Sequence, residues 1–399
     1  MALLKWELKK IWRPGLLLAI ALIGAIFYQV RTGFYLEHFN TGDSWGAAKV
    51  QLAYGWLETY GNTIEPEERS QLDAQLAELK EEFAQQAAQI PGAAEAGITD
   101  YESYVAWVET YNNSAWSDEA NALDWAIYDN TNLVMLGSLA EFMEAYEFLN
   151  GGGSVLDWGG DIGEDSPAHQ ASVRRIREAE AEGVYGFLPS MVKDSTDGFF
   201  YYFAIWCVFS GVLLISPTLV RDALRRTRAM QWTSRRGRRI LNSQMWAALL
   251  SGLLLTLLNF AVYLGPFLAT GALKFRDCSM VSVWWDSYPW FDWTYSQYLL
   301  ALLGLTLVLA LAACGFTVVL SQFSSSYVAM LLKAIPLIAV LCWGLVPWTI
   351  AGAGLFSNRI VRLTGLPGTE FVCGVLSILT ALALCGWTCL RQRHQELKG

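Results

Sequence analysis

Eight arginines lie between Arg221 and Arg239, and Asp222 is the only acid among them. Guanidinium groups at this density supply neither a nucleophile nor a general base. They supply a binding surface, for lipid phosphates or for an acidic groove on a protein partner. Arg225, Arg226, Arg228, Arg235, Arg236 and Arg238 are the residues expected to form it. A second concentration is aromatic: residues 281–298 hold Trp284, Trp285, Tyr288, Trp290, Phe291, Trp293, Tyr295 and Tyr298. Such rings usually anchor a protein at the membrane–water interface. A sharper reading makes Trp284, Trp285, Trp290 and Trp293 an aromatic rim where a transported molecule leaves.

Other chemistry is missing from the chain. There is no G-x-x-x-x-G-K-[S/T] nucleotide loop, no H-E-x-x-H and no G-x-S-x-G. The three histidines, His38, His169 and His394, are scattered, and the seven cysteines sit mostly in apolar runs without metal-site spacing. These features exclude the common hydrolase and metal-site patterns, and no enzyme reading gains positive support. The chain is expected to bind no cofactor or metal of its own, and no nucleic acid.

The elements that must carry these residues are written in the hydropathy. The composition is 54% hydrophobic and 16% charged, with a mean hydropathy of +0.29 and 18 Trp. Six apolar runs, at 14–30, 199–220, 240–270, 296–320, 327–350 and 370–390, approach the ~20 residues that a membrane-crossing helix needs. Interior polar groups are few, Thr256, Asn259, Tyr263, Thr306 and Thr317 among them, and Pro217, Pro266, Pro336 and Pro347 are placed to kink the spans. The scarcity of acids within the runs argues against ion coupling.

Basic residues orient the bundle. Lys5, Lys9, Lys10 and Arg13 precede the first run, the arginine segment joins the second and third, and Arg391, Arg393 and Lys398 follow the sixth. The positive-inside rule then puts both termini in the cytoplasm. The formal charge of −9 conceals a segregation: residues 31–198 hold 30 acids against 8 bases, a balance of −22. This segment is expected outside. Leu72, Leu76, Leu79, Phe83, Ala87 and Ile90 form one helical stripe within it, and Leu136, Leu139, Met143 and Tyr146 another. A third, Tyr101, Tyr104, Val105, Val108 and Tyr111, has Thr99 and Asp100 placed to cap it. Without cysteines, the segment must be held by its own hydrophobic core. The expected fold is therefore an all-α integral membrane protein: six transmembrane helices, with a large, mainly helical extracytoplasmic domain between helices 1 and 2.

At this point the chain resembles the membrane subunits of ABC transporters of the type-2 permease class, in a Gram-positive subgroup with a large external insertion after the first span. The opening LLKWELKKIWRPGLLL is similar to the amphipathic interfacial helix of that family, with Leu4, Leu8, Ile11 and Trp12 on the apolar side and Lys5, Lys9 and Lys10 toward headgroups. Ser234, Gly237 and Arg238 match the family's S-x-x-G-R pattern before the third span, and 347–369 its irregular segment between the last two. Asp222 and Arg226 stand where relatives often carry Glu and Gly.

The resemblance implies an exporter of the bacterial plasma membrane in which this chain pairs with a second permease. Two separate ATPase subunits would bind ATP and Mg and dock on the arginine segment. The expected substrate is a peptide, an antibiotic or a lipid-like molecule. A membrane sensor, or an immunity protein that binds a peptide through the external domain, is the alternative from a different class.

Overall fold

A computed structural model describes residues 2–37, 39, 44–112, 117–158, 167–224, 240–285 and 288–394. Among them the regular structure is helical, and pairing is limited to two isolated bridges, Ser279 with Thr294 and Pro289 with Leu355. Six helical stretches are long and apolar enough to cross a membrane: Pro14–Glu37, Ser190–Asp222, Ile240–Ala269, Tyr295–Gln322, Tyr327–Thr349 and Thr369–Arg391. They coincide with the six apolar runs.

In chain order, α1 (Ala2–Ile11) leads into the first span, built of α2 (Pro14–Phe27), a π-helical turn (Tyr28–Thr32) and α3 (Gly33–Glu37). Pro14 opens α2 at a position where its missing N–H costs nothing. The second span belongs to α10 (Ser190–Leu224), the third is α11 (Ile240–Ala269) and the fourth α12 (Tyr295–Gln322). The fifth comprises α13 (Tyr327–Ala339), a π-helical segment (Val340–Leu345) and α14 (Val346–Thr349). After the short α15 (Arg359–Thr364), α16 (Thr369–His394) is the sixth.

The second span is the hub: 71% of its apolar window is buried, against 17% for the first and 22% for the fifth and sixth. It packs on α12, and α12 in turn packs on α16. Hydrophobicity alone does not drive helices together in lipid, so close approach must come from small residues. Gly211 on α10 and Gly252 on α11 face Cys314 of α12, and an added Cβ would come 2.9 Å and 2.5 Å from its Sγ.

Between the first two spans lies an insert of helices: α4 (Ser44–Thr59), α5 (Arg69–Ala87), α6 (Tyr101–Asn112), α7 (Asp118–Asn130), α8 (Leu133–Asn150) and α9 (His169–Glu182). Asp100 caps α6, accepting from Ser103 N–H at 2.8 Å while Ser103 Oγ accepts from the Asp100 N–H at 3.0 Å. That hydrogen bonding holds the Asp100 carboxyl below its ordinary range.

The insert has two parts. Phe83, Ala87, Ile98, Ile127, Leu133 and Leu136 close a small distal core of its own. The proximal part, including Trp56, Phe142, Phe187 and Leu188, belongs to one continuous core with the membrane helices. The expectation of a self-sufficient domain is corrected to that extent. Its acidic surface concealed apolar residues that need the bundle as their partner.

Candidate functional site

Two junctions and one cleft stand out, at opposite ends and in the middle of the bundle. The first is the base of α10. Lys10 Nζ donates to Glu7 Oε1 at 2.8 Å and to Asp222 Oδ2 at 3.2 Å, and Gln244 Nε2 donates to the same Asp222 oxygen at 3.1 Å. Glu7 and Asp222 are almost completely buried. Trp12 Nε1 donates to Ser251 Oγ at 3.0 Å. These bonds clamp α1 against α10 and α11. Burial alone would push the Lys10 ammonium down, but the two carboxylates outweigh it and its pKa is raised.

This geometry fastens α1, expected as an amphipathic interfacial helix, to the bundle. Its apolar side is spent on the protein, and Lys10 and Trp12 are committed to internal bonds. Lys5, Lys9 and Trp6 remain outward, with Lys9 Nζ 5.8 Å from the Trp6 ring centre, as a narrower cationic and aromatic strip. Arg225, Arg226, Arg228, Arg235, Arg236 and Arg238 lie outside the described residues, as does the whole of 225–239. What the structure places is the two ends of that segment, Leu224 closing α10 and Ile240 opening α11.

The second junction is aromatic. Trp284 stacks on Trp56 of α4 at 5.4 Å between ring centres and meets Phe142 of α8 edge-on at 5.1 Å. Trp285 lies beneath Lys193 Nζ at 5.4 Å, and Trp290 packs edge-on against Phe356 at 4.5 Å. Trp293 stacks on Phe291 at 4.9 Å and covers Gly354, whose φ of +74° and lack of a side chain let the ring approach. Trp284, Trp285 and Trp290 are 8%, 3% and 7% exposed. They form a seam joining the insert to the spans, so the expected exposed rim or belt is corrected for these three. Trp293 is half-buried.

An extended strip at residues 184–188 runs along the seam. Val283 N–H donates to Gly186 O at 2.8 Å, Ser282 Oγ to Leu188 O at 2.9 Å, and Ile64 N–H to Tyr185 O at 3.0 Å. Arg175 of α9 pairs with Asp292. The indole nitrogens of Trp284, Trp285 and Trp290 and the Tyr288 hydroxyl are buried without a partner among the described residues. Burial, with Glu180 nearby, pushes the Tyr288 phenol up.

Between the first span, α10 and α11 lies an apolar cleft of about 710 Å³, lined by Leu17, Gly24, Trp206, Leu258, Asn259 and Val262 among others. Several of its polar groups are bonded to one another or to backbone. Trp206 Nε1 donates to Asn259 Oδ1 at 3.3 Å, Asn259 Nδ2 to Ser210 Oγ at 3.0 Å, and Tyr263 OH to Gly24 O at 2.9 Å. The network holds three helices together.

Among the described residues no cluster of histidine, cysteine and carboxylate can hold a metal. The seven cysteines are free thiols, and burial with Asp277 beside it pushes Cys278 up to about 12, which leaves it unreactive at neutral pH. The arrangement can bind, clamp and transmit.

Sequence reasoning missed Glu7, Trp56 and Asp197 as structural actors. Glu7 was detectable, three residues from Lys10 on one helix face. Trp56 carried no signal distinguishing it from other apolar positions. No protein-family model, curated protein or solved structure matches this chain.

Proposed function

We propose that the chain is the membrane-spanning permease subunit of an ATP-driven exporter of the type-2 ABC class, working with a second permease and separate ATPase subunits. In this reading both termini and the arginine segment are cytoplasmic, the insert is extracytoplasmic, and the membrane is the bacterial plasma membrane. The observation that supports it best is the clamp of Glu7, Lys10, Asp222 and Gln244. It fastens the N-terminal helix to α10 two residues before the described end of that helix. A partner bound at Arg225–Arg239 would therefore push on a braced lever and not on a loose loop. The substrate reading remains a peptide, an antibiotic or a lipid-like molecule.

The test is affinity purification of the tagged protein from its native membrane in mild detergent, followed by mass spectrometry. A subunit carrying a nucleotide-binding loop should co-purify in stoichiometric amount. It should be lost when Arg225, Arg226, Arg235 and Arg236 are replaced by Glu, with the permease still folded. Recovery without any ATPase, under conditions that preserve other membrane complexes, refutes the reading. One observation favours the sensor alternative: the core runs unbroken from insert to bundle, a route by which ligand binding outside reaches α10. A sensor would keep its ligand response in cells lacking every co-purifying ATPase.

A further inference from the structure

At the end of the bundle that carries the insert, a cleft of about 580 Å³ opens between α10 and the fifth span. Its volume falls in the range of about 300–1,000 Å³ typical of small-molecule sites. Asp197 and Arg359 both line it, with Tyr201, Trp343, Pro347 and Ser357. The two charged groups differ in how they are held. Asp197 accepts a hydrogen bond from Tyr298 OH, and Lys193 Nζ lies 3.8 Å from its other oxygen while sitting closer, at 2.9 Å, to Asp194. The carboxylate is thus fixed in place, with one oxygen only loosely satisfied. Arg359 is exposed, and among the described residues no carboxylate pairs with it. A cleft presenting a positioned anion and a free guanidinium suits a ligand that carries both signs of charge.

The wall between them adds a second requirement. Trp343 is 78% exposed and belongs to the π-helical segment, a local widening that turns its side chain out of the regular helical register. It continues an outward apolar stripe down the fifth span: Val340, Ile335, Leu332, Leu331 and Val328, each more than half exposed. That stripe lies along a helix long and apolar enough to cross a membrane, which would set it against acyl chains. A ligand reaching from the cleft onto the stripe must be polar at one end and apolar at the other.

We infer that this cleft binds the headgroup of a zwitterionic amphiphile bearing a primary ammonium and a phosphate, its chains lying along the Val328–Trp343 stripe. The ammonium donates to Asp197. Arg359 takes the phosphate, whose oxygens match its planar fork of N–H donors. A quaternary ammonium has no N–H to donate and satisfies Asp197 less well. An anionic headgroup meets the Asp197 charge unfavourably. Phosphatidylethanolamine has the required chemistry. The inference concerns binding alone and stands whether or not an ATPase works with this chain.

The test uses the full-length protein in mild detergent, equilibrated with equal amounts of phosphatidylethanolamine, phosphatidylcholine and phosphatidylglycerol of identical chains. Native mass spectrometry reads the bound lipid. Phosphatidylethanolamine should be enriched over the other two by about tenfold, the scale of one charge-assisted hydrogen bond. Arg359→Gln, an exposed change that leaves the fold intact, should abolish the enrichment. Asp197→Asn should shift the preference toward phosphatidylglycerol, because a lone guanidinium then faces the anion. Uniform binding of the three lipids, or enrichment unchanged in Arg359→Gln, overturns the inference. So does displacement by soluble glycerophosphoethanolamine at concentrations matching the lipid, which would make the ligand a free zwitterion and not an amphiphile.

Discussion

Replacing Trp284 tests whether the insert and the bundle share one core. The indole is 8% exposed between Trp56 and Phe142, with Lys49 Nζ 5.9 Å from its ring. Truncating a buried Trp to Ala typically costs about 3–5 kcal/mol in lost transfer energy and residual cavity. One correction runs the other way. The Trp284 Nε1–H is buried without an acceptor among the described residues, and removing such a group returns about 1–3 kcal/mol. The net cost of Trp284→Ala should therefore centre on about 2 kcal/mol.

Trp284→Phe keeps an aromatic face against Trp56 and deletes the unpaired donor, so it should cost less than about 1 kcal/mol. The assay is hydrogen exchange on the full chain in detergent, read on the α4 and α8 amides, which report local opening of the junction. The Ala variant should raise exchange there by about 30-fold, since each 1.4 kcal/mol is tenfold. Trp343→Ala, at a residue 78% exposed, should leave α4 and α8 unchanged. If Trp284→Ala and Trp343→Ala behave alike, the seam is not load-sharing and the insert holds itself. A Phe variant as damaging as Ala would refute the argument from the unpaired nitrogen.

Two further perturbations reach the base and the centre of the bundle. Lys10→Met leaves Glu7 and Asp222 facing each other without their cation, and should loosen α1 by about 1–3 kcal/mol, below the value for a fully buried pair because Lys10 retains some exposure. Protease sensitivity of α1 reads it. Lys10 also sets a pH dependence: its folded pKa lies above the unfolded value near 10.5, so the clamp is fully present below that pH and weakens as pH rises through the folded value. Wild type should lose thermal stability as the pH rises above about 10.5, and Lys10→Met should show less of that loss. Finally, Gly252→Ala puts a Cβ 2.5 Å from Cys314 Sγ and should cost about 1–3 kcal/mol, while Cys314→Ala in the same chain should recover most of it. Additive losses in the double variant would refute the contact.

The six spans were legible because lipid imposes length and composition together, and every run from 14–30 to 370–390 met both. The helical stripes of the insert were legible for a similar reason: Leu72, Phe83 and Ala87 are buried as their spacing requires. The aromatic segment was misread because composition alone cannot tell a ring facing lipid from a ring facing protein. Trp284 and Trp343 look alike in the sequence and sit at 8% and 78% exposure. The deciding partners, Trp56 and Phe142, are more than a hundred residues distant in the chain. Asp197 was illegible for the same reason, since packing alone brings Tyr298 against it and sets Arg359 in the same cleft.

Both ends of α10 are tied, and this constrains how the molecule can move. Near its start, Thr196 Oγ1 lies 2.7 Å from Tyr295 OH and Asp197 is bonded to Tyr298, both on α12. Near its end, Asp222 is bonded to Lys10 and Gln244. The helix between Asp197 and Asp222 spans about 38 Å at 1.5 Å per residue, and its flank is packed against α12. A displacement imposed at Asp222 has two routes. It carries α10, α12 and the seam with it as one body, or it is absorbed where the helix can bend. Pro217, five residues before Asp222, provides one such place, because its ring removes a backbone donor inside the helix. Replacing Pro217 by Ala separates the routes. With the hinge stiffened, a push on the base should reach the Trp56–Trp284 seam more fully, and exchange in α4 should respond more strongly to Lys10→Met than it does with Pro217 present. An α4 response unchanged by Pro217→Ala would mean that the base moves independently of the seam.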